Sequence, residues 1–154
     1  MEQIDSRKIF AKPSYALPTT ISPTKFQRNW INSLYVAEEE MNSLEFKIAA
    51  KLTSIDNVLW WHRNRVSKTG FYINGFINHY PDFIIKMKSG IILLIEAKGD
   101  DRDNSDSKRK LKLGKLWESK AGSDKYGYLM VFDNNYSLQD ALSFDDFVTR
   151  VRFL

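Results

Sequence analysis

No cysteine occurs among the 154 residues. Disulfides, thiol nucleophiles and cysteine-ligated zinc are thereby excluded. Histidine is nearly as scarce. His62 and His79 are the only two, too few for a three-histidine metal site. Long apolar runs are missing as well: the longest strongly apolar stretch, Ile91 to Ile95, falls far short of the roughly 20 residues that cross a bilayer. The first residues, MEQIDSRKIFAKPSY, contain no apolar segment of signal-peptide length. The expectation is a cytoplasmic protein with no membrane partner. Charge of one sign is in short supply too. Against 23 Lys and Arg stand 19 Asp and Glu, a net +4, which permits a polyanionic partner without requiring one.

Apolar and aromatic side chains are plentiful, at 43% and 14%, and argue against disorder. A chain of this size buries about 70% of its unfolded surface, enough for one core. Three of the four prolines, Pro13, Pro18 and Pro23, fall within residues 1–33. With the Ser and Thr between them they read as an extended arm or linker. Phe10, Tyr15, Phe26 and Trp30 on that arm need a surface to pack on. The folded domain is expected over residues 34–154.

Within it, Met41, Leu44, Ile48, Leu52 and Ile55 recur at helical spacing, predicting a helix over 38–55 with Glu45 at the edge of its apolar stripe. Residues 58–63, rich in aromatics, suit a strand. Residues 71–80 read as a second strand interrupted by Gly75. A hairpin follows, with strands over 82–87 and 91–98 joined at Lys88-Ser89-Gly90. The return strand is apolar on both faces and therefore central. A basic helix over 105–121, a buried strand over 126–132, and a last helix capped by Ser137 and carrying Phe144, Phe147, Val148 and Val151 complete the order. This is an α/β or α+β domain around one mixed sheet.

Two segments, Pro81-Asp82 and Glu96-Ala97-Lys98, carry the candidate chemistry. With a three-residue loop, Met87 pairs with Ile91. Counting back along both strands then sets Asp82 opposite Glu96. Glu96 and Lys98 are two apart and share a face, so the three charges converge. A two-residue Ser89-Gly90 loop would instead set Asp82 opposite Ala97 and split the carboxylates. Two acids held together repel and desolvate badly unless neutralised. A divalent cation with oxygen ligands, Mg²⁺ or Mn²⁺, does this. It also polarises a phosphoryl oxygen and lowers the pKa of a bound water. Lys98 could orient or deprotonate that water. The plain structural alternative is an ion pair at the end of a hairpin.

The sequence Pro81-Asp82…Glu96-Ala97-Lys98, between a helix bearing an acid and a basic helix, resembles the PD-(D/E)xK nuclease superfamily. Trp60-Trp61-His62-Arg63-Asn64, Gly70-Phe71-Tyr72-Ile73-Asn74-Gly75, Pro81-Asp82-Phe83, Glu96-Ala97-Lys98-Gly99-Asp100, and Lys110 seven residues before Trp117 narrow it. They are similar to the C-terminal endonuclease domain of type III restriction enzyme restriction subunits, over roughly residues 35–132. The resemblance implies an α/β, restriction-endonuclease-like αβββαβ core, with a central mixed sheet flanked by helices. It implies a Mg²⁺-dependent endonuclease, Mn²⁺ able to substitute, that leaves 5′-phosphate and 3′-hydroxyl ends. Asp82 and Glu96 would ligate metal together with the Ala97 carbonyl, Lys98 would be the catalytic lysine, and Glu45 the accessory acid, with Glu38, Glu39 and Glu40 competing for that role. Lys110 would contact the scissile strand, and Arg63 and Arg65 would contact phosphate. Double-stranded DNA is the implied substrate. A helicase-like motor and a methyltransferase modification subunit are the implied partners. The chain has no G-x-x-x-x-G-K-[ST] loop, so no ATP site is expected in it.

Lys108, Arg109, Lys110, Lys112 and Lys115 cluster just after the motif and are expected to contact the DNA backbone, steepening the salt dependence of binding. Asp100, Asp101, Asp103 and Asp106 read as a polar, Asx-rich loop. His62 and His79 read as structural or surface residues, and Trp60 and Trp61 as filling opposite faces of one strand. Three rival readings remain: a catalytically silent DNA-binding or interaction module with the same fold, a structural module with chance ion pairs, and a repair or junction-resolving nuclease.

Overall fold

The computed structural model describes residues 41–64, 70–99, 105–133 and 137–154. The proposed arm over 1–33 lies outside the described residues, as do Glu38, Glu39, Glu40, Arg65, Asp100, Asp101 and Asp103.

Asn42 and Glu45 start the first helix, α1 (Ser43–Leu52), with a reciprocal capping box. The Asn42 side chain accepts from the Glu45 N–H at 2.9 Å, and Glu45 Oε1 accepts from the Asn42 N–H at 3.0 Å. Both satisfy donors that a helix start leaves unpaired. The expected stripe Met41, Leu44, Ile48, Leu52 and Ile55 is buried throughout. The helix begins at Ser43 because Asn42 takes the extended cap conformation.

Next come β1 (Val58–Arg63), β2 (Ile73–Asn74), β3 (Asn78–His79), β4 (Phe83–Met87) and β5 (Ile92–Lys98), then α2 (Ser105–Ala121), β6 (Tyr126–Phe132), β7 (Leu142–Ser143) and α3 (Phe144–Arg152). Among the described residues, the main sheet has five strands in the order β1-β4-β5-β6-β7. β1, β4 and β5 form an antiparallel meander. β6 then lies parallel to β5, a pairing that needs a crossover, which α2 supplies. β5 is central, as its two apolar faces predicted.

Strand parity sorts the side chains into two cores. Trp61, Phe83, Ile85, Met87, Leu93, Ile95, Leu129 and Val131 pack with α1 and α3. Ile84, Ile92, Leu94, Tyr126, Tyr128, Met130 and Phe132 pack with Leu111, Leu113 and Trp117 of α2. Trp61 fills the first core, and Trp60 packs against the second. α2 approaches closely because residue 114 is glycine. A Cβ there would stand 2.3 Å from the Tyr128 ring, so any larger residue would lift α2, and its lysines, off the sheet.

Two expectations are corrected. Residues 71–80 do not add a strand to the main sheet: β2 and β3 pair with each other as a separate small hairpin, because the chain reverses at Gly75. The last helix is capped by Ser143 and not Ser137. The Ser143 hydroxyl accepts from the Asp146 N–H at 3.1 Å. The residues after 137 first form a turn, with Asp140 at φ 69°, and the short strand β7, so the helical repeat of Phe147, Val148 and Val151 starts later. Among the described residues, no helix is long and apolar enough to cross a membrane.

Candidate functional site

The β4–β5 turn sets the site. Gly90 takes φ 98°, a left-handed conformation that closes a three-residue hairpin loop. The Met87 N–H donates to the Ile91 carbonyl at 2.8 Å. Phe83 then pairs with Ile95 and Ile84 with Leu94. Asp82, one residue before β4 and beyond the last strand pair, donates its N–H to the Ile95 carbonyl at 2.8 Å, and its carboxyl interacts with that of Glu96. Asp82 Oδ2 accepts from the Ala97 N–H at 2.7 Å. Asp82, Glu96 and Lys98 have the parity of Ile84 and Leu94 and gather at the end of the sheet beside α2.

Two lysines face Glu96. Its Oε2 lies 3.1 Å from Lys110 Nζ and 3.9 Å from Lys98 Nζ. Both ammonium groups also reach Asp106 Oδ2, at 3.2 Å from Lys98 and 3.3 Å from Lys110. Asp106 was expected in a polar loop. It lies in the first turn of α2, where a carboxylate meets the positive end of the helix dipole. Its i,i+4 spacing to Lys110 was the available signal.

Arg63 closes the other side. Its guanidinium lies 2.7 Å from Glu45 Oε2 and 3.4 Å from Asp82 Oδ1. It donates to the Asp82 carbonyl at 3.1 Å and to the Asn64 carbonyl. Expected on a phosphate, Arg63 is instead half-buried between two acids. Glu45 is brought to the site through Arg63, with one oxygen held by the helix cap and the other by the guanidinium.

Asn64 was read only as a motif letter. It is buried, donates to the Phe71 and Pro81 carbonyls at 2.7 and 2.9 Å, and accepts from the Phe71 N–H at 2.9 Å. Its own N–H donates to the Asp82 carbonyl at 2.8 Å. This one amide fixes the chain on both sides of Pro81 and so holds Asp82 in place.

The basic cluster divides. Lys108, Arg109 and Lys112 are exposed along α2. Lys115 turns back to the sheet, donating to the Tyr128 carbonyl at 2.9 Å and pairing with Glu118 at 3.6 Å. These contacts tie α2 to β6.

Burial dominates the electrostatics. It pushes Asp82 up to about 7, with repulsion from Glu96 adding and Arg63 opposing. Burial likewise raises Glu96, against the pull of Lys110 and Lys98, and raises Glu45 against Arg63. Burial opposes the charge on Lys110, but Glu96 and Asp106 outweigh it and its pKa rises. Of the two acids at the sheet end, Asp82 takes the proton, because the lysines favour Glu96 as the anion. Glu96 Oε1 is buried with no hydrogen-bond partner. Two repelling carboxylates and an orphaned oxygen suit a hard divalent cation in donor chemistry. Asp82, Glu96 and the Ala97 carbonyl could hold it, with Glu45 beside them. Among the described residues, no group of three or more His, Asp or Glu side chains is already gathered as a metal site.

Behind the lysines, His79 Nε2 and the Tyr128 hydroxyl are 2.6 Å apart in the core. Burial, with Lys110 and Lys98 adding, lowers His79 to about 3. Burial lowers His62 to about 4. Both are buried in the core. Below pH 6.5 the unfolded chain protonates His79 and the folded chain does not, so its contribution to stability is complete above 6.5 and lost as pH falls. Between pH 7.5 and 4.5, His79→Gln should lose about 2–3 kcal/mol less stability than the unsubstituted protein. Urea unfolding at both pH values measures this, and equal losses would show that His79 is not held neutral.

Compared with known proteins, the chain matches no family model, no curated protein and no solved structure.

Proposed function

We propose that this domain is a metal-dependent DNA endonuclease of the PD-(D/E)xK class with a restriction-endonuclease-like fold, acting as the cleavage domain of a type III restriction-modification system. The observation that carries the reading is the convergence of Asp82, Glu96 and Lys98 at one end of the β4–β5 hairpin, within a helix, meander, crossover helix and parallel strand. An isolated ion pair needs one acid. Here two buried acids share a place where each raises the cost of the other's charge.

A bound Mg²⁺, held by Asp82, Glu96 and the Ala97 carbonyl with Glu45 assisting, would polarise the scissile phosphoryl group and acidify a water. Lys98 lies on the same face as the two acids and would orient the attacking water or stabilise charge on the phosphate. Arg63 keeps Glu45 and Asp82 together. The exposed Lys108, Arg109 and Lys112 would follow the backbone of double-stranded DNA, sequence choice being left to a methyltransferase subunit and transport to a helicase-like motor. Ala97 would serve through its backbone alone, so Ala97 substitutions that keep the fold should keep activity.

The test is nicking of supercoiled plasmid in Mg²⁺ or Mn²⁺ by the unsubstituted protein beside Asp82→Ala and Lys98→Ala. The expected result is metal-dependent nicking by the unsubstituted protein alone. Equal nicking by all three would remove the site. Mn²⁺ binding measured by calorimetry gives a second readout, and equal affinity in Asp82→Ala would remove the ligand assignment.

A further inference from the structure

Lys98 and Lys110 bring their ammonium groups to a single oxygen, Asp106 Oδ2, at 3.2 and 3.3 Å. Glu96 Oε2 also faces both, but the two acids differ in position. The Glu96 side chain is 5% exposed and that of Asp106 is 56% exposed. Glu96 is therefore the buried counter-charge of the lysine pair, and Asp106 covers the pair from the solvent side. An incoming DNA backbone would arrive from that side and would present the same group: one anionic oxygen able to accept from two ammonium donors. Asp106 occupies that position, and its own charge repels the phosphate.

We propose that Asp106 is an intramolecular stand-in for a phosphate oxygen of the substrate, displaced from Lys98 and Lys110 when the DNA backbone binds; this rests on the reading of the cleft as a DNA-cleaving site. The exchange is inexpensive. A half-exposed carboxylate holds its partners weakly, and once displaced Asp106 still sits in the first turn of α2, where the helix end favours its charge. The contact keeps two closely spaced cations paired until a backbone phosphate replaces the carboxylate.

The test measures duplex binding by fluorescence anisotropy in chelator, where no cleavage occurs. Asp106→Asn and Asp106→Ala are compared with the unsubstituted protein and with Asp145→Asn, an exposed residue on α3 that changes net charge equally. Both Asp106 variants should bind roughly three- to ten-fold more tightly, with a salt dependence steeper by about one. Affinity unchanged, weakened or raised only as much as in Asp145→Asn would overturn the proposal. Inorganic phosphate, followed through the methyl signals of reductively ¹³C-methylated lysines, separates this inference from the nuclease reading. If phosphate shifts the Lys98 and Lys110 signals at lower concentration in Asp106→Asn while no variant binds or nicks DNA, the anion site stands and the nuclease reading falls. If the unsubstituted protein nicks plasmid and Asp106→Asn gains affinity for neither probe, the nuclease reading stands and the stand-in falls.

Discussion

At pH 8, Asp82→Asn should be more stable in chelator than the unsubstituted protein by about 1–3 kcal/mol, while its plasmid nicking in Mg²⁺ falls by roughly a hundred-fold or more. The two effects share one cause. Burial and Glu96 push Asp82 up to about 7, well above the value a carboxyl has in an unfolded chain. Between about pH 4 and 7 the folded state therefore holds a proton that the unfolded state has released. Stability from this group falls as pH rises through that window and is lowest above it. Asparagine cannot ionise, so it escapes the penalty and can still accept the Ala97 N–H that now reaches Asp82 Oδ2. The gain should fade toward pH 4, where the folded protein carries Asp82 protonated. Urea unfolding at pH 8 and pH 4, paired with plasmid nicking, measures both halves. A structural ion pair predicts the opposite pattern: loss of stability at pH 8 with activity, if any, retained. On the nuclease reading, such a gain would mark Asp82 as a residue kept for chemistry at a cost to the metal-free fold.

Local rules made much of this architecture readable in advance. The β4–β5 register followed from loop length and strand parity, and a left-handed Gly90 enforces it. α2 and β6 fell where the pattern put them, because α2 buries one face on the sheet and β6 buries both faces between the two cores. The errors arose where local pattern competes with long-range contact. Residues 71–80 have strand composition, but whether they join the main sheet or pair among themselves depends on the turn at Gly75 and on packing against α2. Ser137 and Ser143 are equally good caps in isolation, and β7 pairing with β6 selects the second. The candidate site divides the same way. Asp82, Glu96 and Lys98 lie on one hairpin, so counting residues unites them. Arg63, Asp106 and Asn64 come from other elements. Their charges and amide are ordinary in sequence and acquire a role only once β1 and α2 are laid beside the hairpin. Lys115 is a further case: its place in a basic run gives no hint that it donates to the Tyr128 carbonyl.

Arg63→Met is expected to destabilise the protein by about 3 kcal/mol at pH 8 and by clearly less at pH 5. The guanidinium is 15% exposed and lies between Glu45 at 7% and Asp82 at 17%. Methionine keeps an unbranched side chain of similar length but removes the guanidinium, which lies over the Phe83 ring at 5.8 Å and faces both acids. Breaking a buried pair from one side leaves the other side's charge uncompensated, which costs more than the intact pair contributed. Burial already raises Glu45 and Asp82, and Arg63 is the leading force that lowers Glu45 and a main one that lowers Asp82. Without it both should rise further. Folded molecules would then bind more protons than unfolded ones across a wider range, so stability would fall more steeply from pH 5 to pH 8. Adding Glu45→Gln should restore part of the loss at pH 8, because one of the two stranded charges is gone, and a double-mutant cycle in urea measures that coupling. Should Arg63→Met match the unsubstituted protein at both pH values, the guanidinium would not be neutralising these acids, and the role implied by sequence resemblance, a contact to phosphate, would return.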